Sequence, residues 1–415
     1  MASDAKKKVL ESFARHVSAP KAAFFTAAGM DFIPGRREGP WLWDMDGEKR
    51  LFNLHCNGGV YNLGHRNPEI LRTLAEGMAF WDIGNGHLMS RARAGLAETI
   101  ASLMPGDLDV TIFGVSGGEA VDLAIKVARG HTKRAKIVSV TGGYHGHTGL
   151  ALAAGDPRYR EPFGPQAPGF VQVPFGDEAA LARAVDADTA AVILETVPAT
   201  LGMAVPPPGY IAAVRGICDR AGALYIADEV QTGLSRTGKL WGFTHFGVVP
   251  DVVVLGKGLS GGVYPITATV IRKPLEALFE QDPFLHVSTF GGAELGCLVA
   301  QKVLEISSAP AFLAHVNELA AAFAQGVAVL AEKHRILTGL RQLGLFMGLE
   351  LEDEAAGPLL SLAAYQNDLL MVYANNNRSV CQFLPPLVME TDRVPWVLER
   401  LDRALGLAQS FKDGL

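Results

Sequence analysis

Asp251-Val252-Val253-Val254-Leu255-Gly256-Lys257-Gly258-Leu259-Ser260-Gly261-Gly262 decides the fold. Val252 to Leu255 form a continuous apolar run, which reads as a strand buried on both faces. The run delivers one amine, Lys257, with glycines on both sides that let another molecule approach closely. Burial at a strand end strips solvation from the charged form of an amine, lowers its pKa and makes it a nucleophile toward aldehydes. Taken alone, Lys257 reads as a surface lysine capping a strand. A second strand upstream overturns that reading: Ala223-Leu224-Tyr225-Ile226-Ala227 delivers Asp228-Glu229-Val230-Gln231 ahead of Thr232-Gly233. An aspartate and a lysine at neighbouring strand ends are what a pyridinium cofactor held as a Schiff base requires.

Working outward, apolar strands alternate with amphipathic helices from about residue 90 to 300. The strands are expected at 109–114, 136–140, 190–195, 223–228, 251–256 and 266–271. A helix over 208–220, opened by Pro206-Pro207-Pro208 and closed near Ala221-Gly222, is one of those filling the gaps. Such alternation predicts an α/β fold with a mostly parallel sheet covered on both faces. The first eighty residues read as short strands and turns, with a hairpin around Asp46-Gly47. After about 310 the chain turns to Ala-rich helix (312–333) followed by short strands. The expected division is a large α/β domain over 81–305, and a smaller α+β domain built from 1–80 and 306–415.

The chain has 415 residues, more than one ordinary core, and 49% apolar with 19% charged residues describes a well-buried globular enzyme. A net charge of −6 gives no basic footprint for nucleic acid. Cys56, Cys218, Cys297 and Cys381 are scattered, which suits a reduced, cytoplasmic setting without zinc or disulfides. The start, Met1-Ala2-Ser3-Asp4-Ala5-Lys6-Lys7-Lys8, has no apolar core after it and reads as no signal peptide; no apolar run reads as long enough to span a bilayer.

Strand 109–114 runs into Val115-Ser116-Gly117-Gly118-Glu119 and then a helix whose residues 121, 124, 125 and 128 share one face. Ser116 with Glu119 reads as a capping box, a sufficient structural explanation by itself. Two glycines at a helix N-terminus also leave N–H groups free for an anion, and Lys257 with Asp228 tips the reading toward phosphate. Beyond strand 136–140, Thr141-Gly142-Gly143-Tyr144-His145-Gly146-His147-Thr148 places an aromatic at a strand end. Tyr144 there stacks on a planar ring or packs in the core. His145 and His147 lack the carboxylate company of a metal site. Gly233-Leu234-Ser235-Arg236-Thr237-Gly238-Lys239-Leu240 nearly spells a nucleotide-binding P-loop. It fails at Leu240, which has no hydroxyl for Mg²⁺.

Together these motifs resemble the class III pyridoxal-phosphate aminotransferases of fold type I over nearly the whole chain. The matching segments are Asn62-Leu63-Gly64-His65 with Pro68, Ser116-Gly117-Gly118-Glu119-Ala120, Tyr144-His145-Gly146, Ala227-Asp228-Glu229-Val230-Gln231-Thr232-Gly233, Lys257-Gly258 and Ser288-Thr289-Phe290-Gly291-Gly292. Pro206-Pro207-Pro208-Gly209-Tyr210 and Pro283-Phe284-Leu285-His286 look most like the putrescine/ornithine-type branch. The resemblance implies pyridoxal 5'-phosphate held by Lys257 as a Schiff base, with Asp228 keeping the pyridine nitrogen protonated. It implies Gln231 on the phenolic oxygen, Tyr144 and Val230 on the two ring faces, and His145 and Glu195 nearby. Ser116, Gly117 and Gly118 would hold the phosphate, together with Thr289 from a partner subunit, hence a homodimer with shared active sites.

The substrate side departs from the family pattern. Where relatives that use 2-oxoglutarate hold an arginine before Pro385-Pro386-Leu387, this chain has Gln382; the glutamate that pairs with that arginine is replaced by Thr200. A second arginine of some relatives is His147 here. Losing both partners of a charge pair together is coherent, because one left alone and buried would be costly. Tyr61, His147, Thr200, Gln382 and a displaced Arg378 are therefore the candidate substrate contacts. The expected function is transfer of an amino group between a primary amine or ω-amino compound and a keto acid. A phospho-lyase or racemase on the same cofactor is the alternative, since Tyr144-His145-Gly146-His147 looks somewhat like the phospho-lyases. A non-catalytic cofactor-binding protein is the reading from another class.

Overall fold

The computed structural model describes residues 3–414; Met1, Ala2 and Leu415 lie outside the described residues, and with them the first two positions of the charged N-terminal stretch. That stretch is helical from Asp4 to His16, and a second helix spans Ala19–Ala27. Strands and turns were expected there, and the correction has a local cause. Ser3 and Ser18 each accept an N–H three residues on, capping runs rich in Ala and Lys. Next come β1 (Pro34–Glu38), β2 (Trp41–Asp44) and β3 (Arg50–Asn53), with β2 and β3 paired antiparallel around Asp46-Gly47 as expected.

The central sheet contains β4 (Leu108–Gly114), β5 (Lys136–Val140), β6 (Phe170–Val173), β7 (Thr189–Glu195), β8 (Leu224–Asp228), β9 (Val252–Leu255) and β10 (Thr267–Arg272). Its order is β4-β10-β9-β8-β7-β5-β6, parallel except for β10, which runs antiparallel to both of its neighbours. Alternate residues point to opposite faces. Val192 and Leu194 of β7 enter one apolar core, while Ala191 and Ile193 enter the other beside Val121, Ala124, Ile125 and Ala128 of the helix Gly117–Thr132. All seven residues of β7 are buried, which is why such strands read as apolar runs rather than alternations. The helix expected from 208 begins at Tyr210, because Gly209 at φ 82 is still in the left-handed region.

The C-terminal part contains β11 (Leu337–Leu343), β12 (Phe346–Leu351), β13 (Leu369–Leu370), β14 (Val372–Ala374) and β15 (Asn377–Phe383). β11, β12, β15 and β14 form one sheet, whereas β13 leaves it to pair in parallel with β3. Trp41, Phe52 and Trp396 meet edge-on or tilted at 5.0–5.6 Å, so both ends of the chain share one core. The helix Pro310–Lys333 corrects one expectation: by length and composition it is apolar enough to cross a membrane. Here Val316, Leu319, Phe323 and Val327 of that helix are buried in the C-terminal core.

Candidate active site

The carboxyl ends of the parallel strands converge on one edge of the sheet, where α/β folds place their ligands. β7 and β8 run in register, so Glu195 lies beside Asp228, and Asp228 beside Val254 of β9. Two residues past the end of β9, Lys257 opens a turn with φ 44, a left-handed conformation that a side chain rarely adopts. Ser116, Gly117, Gly118, Tyr144, His145, Glu195, Asp228, Val230, Gln231 and Lys257 all line one cavity of about 390 Å³.

Asp228 accepts the Val230 N–H (3.1 Å) and lies 2.8 Å from Nδ1 of the buried His145. Burial opposes charge on His145, yet the hydrogen bond and charge of Asp228, with Glu195 behind them, raise its pKa above the ordinary value. Glu195 accepts the Tyr144 N–H (2.9 Å), and burial first, then the charge of Asp228, push its carboxyl up to about 7 against the opposing pull of His145. Burial lowers the Lys257 pKa despite both carboxylates. The buried imidazole of His145 thus pairs with Asp228, near an amine that burial makes easier to deprotonate.

At the other end of the cavity, Ser116 caps the helix Gly117–Thr132 by accepting the Glu119 N–H (3.2 Å). Glu119 reaches past Ser116 to the Val115 N–H (2.7 Å), so the expected capping box closes one residue early. The first N–H groups of this helix have no intrahelical acceptor. A Cβ on Gly118 would stand 2.7 Å from the Thr148 hydroxyl, and one on Gly146 2.7 Å from the Gly118 Cα, so both glycines keep a tight, side-chain-free cradle. Gln231 Oε1 is buried without a hydrogen-bond partner. An anion cradle, the Gln231 side chain, a carboxylate paired with a buried imidazole and a buried lysine whose pKa burial lowers fit pyridoxal phosphate.

The family model for class-III aminotransferases matches residues 26–405. The chain belongs to this family. An uncharacterized aminotransferase of Archaeoglobus fulgidus is 56% identical over 408 residues, covering 98% of this chain and 96% of that protein. A putrescine aminotransferase of Pectobacterium atrosepticum is 36% identical, covering 88% and 81%. Among solved structures, an ornithine aminotransferase of Toxoplasma gondii with partial occupancy of PLP at its active site superposes with a TM-score of 0.86. It is 25% identical and covers 99% of this chain and 100% of that one. This class-III aminotransferase therefore has fold type I, transfers amino groups and uses pyridoxal phosphate.

The substrate-side expectations divide. His147 lines the cavity, packed edge-on against Tyr144 (5.4 Å). Thr200 is buried and spends its hydroxyl on the Gly142 carbonyl (2.8 Å). Tyr61 stacks 4.0 Å from His65 and packs under Gly262. Gln382 is buried on β15 outside the lining of the cavity. Arg378 is exposed with its guanidinium over the Tyr373 ring (5.5 Å), outside the lining of the cavity. Thr289 is exposed and does not line its own chain's cavity. The P-loop lookalike is structural: Arg236 is wholly buried, and Lys239 donates to the Thr244 carbonyl (3.3 Å).

Gly58 was missed by the sequence reading. A Cβ there would meet Lys257 Cε at 3.1 Å and Gln231 Oε1 at 3.2 Å, so the turn Cys56–Gly59 closes over the lysine. The triplet Asn57-Gly58-Gly59 was the available signal. Conversely, Gly258 packs against Asn62, Gly59 and Leu234 and serves the fold rather than ligand approach.

Proposed function

We propose that Lys257 and Asp228 are the working pair of an aminotransferase that moves an amino group between a primary amine, of the diamine or ω-amino type, and a keto acid. The observation that carries this reading is the convergence of Lys257, Asp228 and the Gln231 side chain on one cavity, opposite a glycine-lined helix N-terminus. The putrescine and ornithine aminotransferases among the relatives support the amine class.

When bound, pyridoxal phosphate supplies a protonated pyridine ring that withdraws electrons from the substrate carbon. Asp228 provides the negative charge that keeps the ring nitrogen protonated, and His145 and the Val230 N–H hold its carboxylate in place. Gln231 donates toward the phenolic oxygen. The N–H groups of Gly117 and Gly118 and the Ser116 hydroxyl take the phosphate, helped by the helix dipole. Tyr144 and Val230 form the two walls. Lys257 Nζ, deprotonated more readily than an ordinary lysine, takes a proton from the substrate carbon and returns it.

The same proposal includes a homodimer in the cytoplasm, acting on small molecules rather than nucleic acid or membrane. Phe80, Leu88, Met89, Phe284, Val287 and Phe290 are each more than half exposed, a large apolar surface for a lone chain, and Thr289 lies among them. Thr289 is assigned to the partner's phosphate. The division into residues 81–305 and a small domain from 1–80 and 306–415 is supported by the β3–β13 pairing and the shared aromatic core.

Borohydride reduction of the holoenzyme followed by peptide mapping tests the assignment: the adduct is expected on Lys257, and an adduct on Lys126 or Lys239 overturns it. Dilution to monomers, followed by light scattering, is expected to release cofactor and activity together. A fully active monomer overturns the shared site.

A further inference from the structure

Asn376, in the turn Asn375-Asn376-Asn377 that leads into β15, is remote from Lys257 in sequence, and its side chain is engaged at both ends. Nδ2 donates to the Gly142 carbonyl (2.8 Å), and Oδ1 accepts from the Tyr159 hydroxyl (3.2 Å). The Asn376 backbone N–H donates to the Thr200 carbonyl (2.9 Å), while the Thr200 hydroxyl donates to the same Gly142 carbonyl. On either side, the Arg158 guanidinium donates to the Asn375 carbonyl and Asn377 Nδ2 to the Leu201 carbonyl (3.4 Å). One turn from the C-terminal segment thus ties together the loop after β5, the turn carrying Tyr159 and the segment after Glu195.

What is tied down matters for the cavity. The Tyr159 ring packs edge-on against Tyr144 (5.3 Å) and His147 (5.7 Å), both of which line the cavity. Mutually perpendicular rings at these separations lock one another's rotation, so fixing the Tyr159 hydroxyl fixes the wall. Thr200 and His147 stand where the family resemblance places charged partners for a carboxylate. Here the Thr200 hydroxyl is spent on the Gly142 carbonyl, and His147 belongs to a ring cluster. Neither offers a carboxylate the bidentate, charge-assisted fork of an arginine.

Resting on the aminotransferase reading above, we propose that Asn376 is a positioning residue for substrate binding. Through Tyr159 it holds the Tyr144–His147 wall at the width that admits an amine donor whose far end is not a carboxylate.

The test uses the holoenzyme with a short diamine or the matching ω-amino acid as donor and pyruvate as acceptor, comparing wild type, Asn376→Ala, Tyr159→Phe and the double variant. Each single substitution is expected to raise KM for the diamine by about fivefold, with kcat within about twofold. The double variant is expected to match the worse single one, because both remove the same connection. Amide hydrogen exchange over residues 142–147 and 158–160 is expected to quicken in Asn376→Ala. Unchanged KM, additive effects, or unchanged exchange at these segments overturns the positioning role. Wild-type preference for the ω-amino acid overturns the far-end assignment. A wild type that turns over no amine donor removes the aminotransferase reading instead, and the exchange result still judges Asn376 by itself.

Discussion

Arg236→Met is expected to destabilise the protein substantially although Arg236 touches no substrate. The guanidinium is wholly buried and faces no carboxylate. Nε and Nη2 donate to Asn62 Oδ1 (3.1 and 2.6 Å), and Nη1 to the carbonyls of Leu345 (3.2 Å) and Pro385 (2.6 Å). Burial pulls its pKa down to about 10, so it stays charged at neutral pH and is held by dipoles alone. Methionine fills much of the volume but leaves three acceptors unpaired. At about 1.5 kcal/mol each that is about 4–5 kcal/mol, offset by about 1–2 kcal/mol from no longer burying a charge. The net expected loss is about 3 kcal/mol. Urea unfolding followed by far-UV dichroism and by fluorescence of the tryptophans, among them the nearby buried Trp241, measures it as a shift in midpoint at constant slope. A loss below about 1 kcal/mol refutes the reasoning. So does thermal protection of the wild type by Mg²⁺-ATP, because that requires the Gly233–Lys239 segment to be a phosphate loop rather than a knot.

Three further outcomes are expected. Asp228→Asn should slow the amine half-reaction by about a thousandfold with the fold intact, by stopped-flow absorbance and circular dichroism; near-normal turnover refutes its role. Glu229 accepts the N–H groups of Gly242 (2.6 Å) and Phe243 (3.0 Å), and burial raises its carboxyl to about 7 from 4.5. A folded pKa above the unfolded one means that its contribution is fully present below 4.5 and is lost as pH rises through about 7. Wild type should therefore lose up to about 3 kcal/mol from this group between pH 5 and 8, and Glu229→Gln should flatten that dependence; denaturation midpoints at both pH values decide it. With Gln382, Thr200 and His147 at the positions of the family's charged partners and Arg378 stacked outside, 2-oxoglutarate should reaminate the amine form no better than pyruvate, and Arg378→Ala should change neither; tight 2-oxoglutarate binding contradicts this reading of the pocket.

The parts of this molecule legible in its sequence are those whose physics is local. Val252–Leu255 and Thr189–Glu195 are buried on both faces, so their composition alone marks them as inner strands. The pairing of Asp228 with Lys257 was readable because each ends such a strand. β6 was missed because Phe170–Val173 lies at the sheet edge with an exposed Val171, where no continuous apolar run is required. The reversal of β10 could not be read, since an antiparallel strand buried on both faces has the composition of a parallel one. The Asn376 side chain meets neighbours more than two hundred residues away, contacts of which a single sequence carries no trace, whereas Gly58 left only the glycine pair Gly58-Gly59 as a mark. The N-terminal helices were misread for a different reason: their capping serines were present, but Asp4–His16 is mostly polar and Ala19–Ala27 has no distinct apolar face.

The parallel pairing of β3 with β13 also sets a timetable for synthesis. Phe52 N–H bonds to the Asp368 carbonyl and Leu54 N–H to the Leu370 carbonyl, so these early residues leave the ribosome long before their partners exist. At ~10 residues per second the wait is roughly half a minute. Meanwhile β4 to β10 are all complete, and the sheet that carries Lys257 has its strands in hand. The nascent chain thus finishes its catalytic half first and closes the other around it last, with charged Lys49 and Arg50 flanking the waiting edge against premature partners.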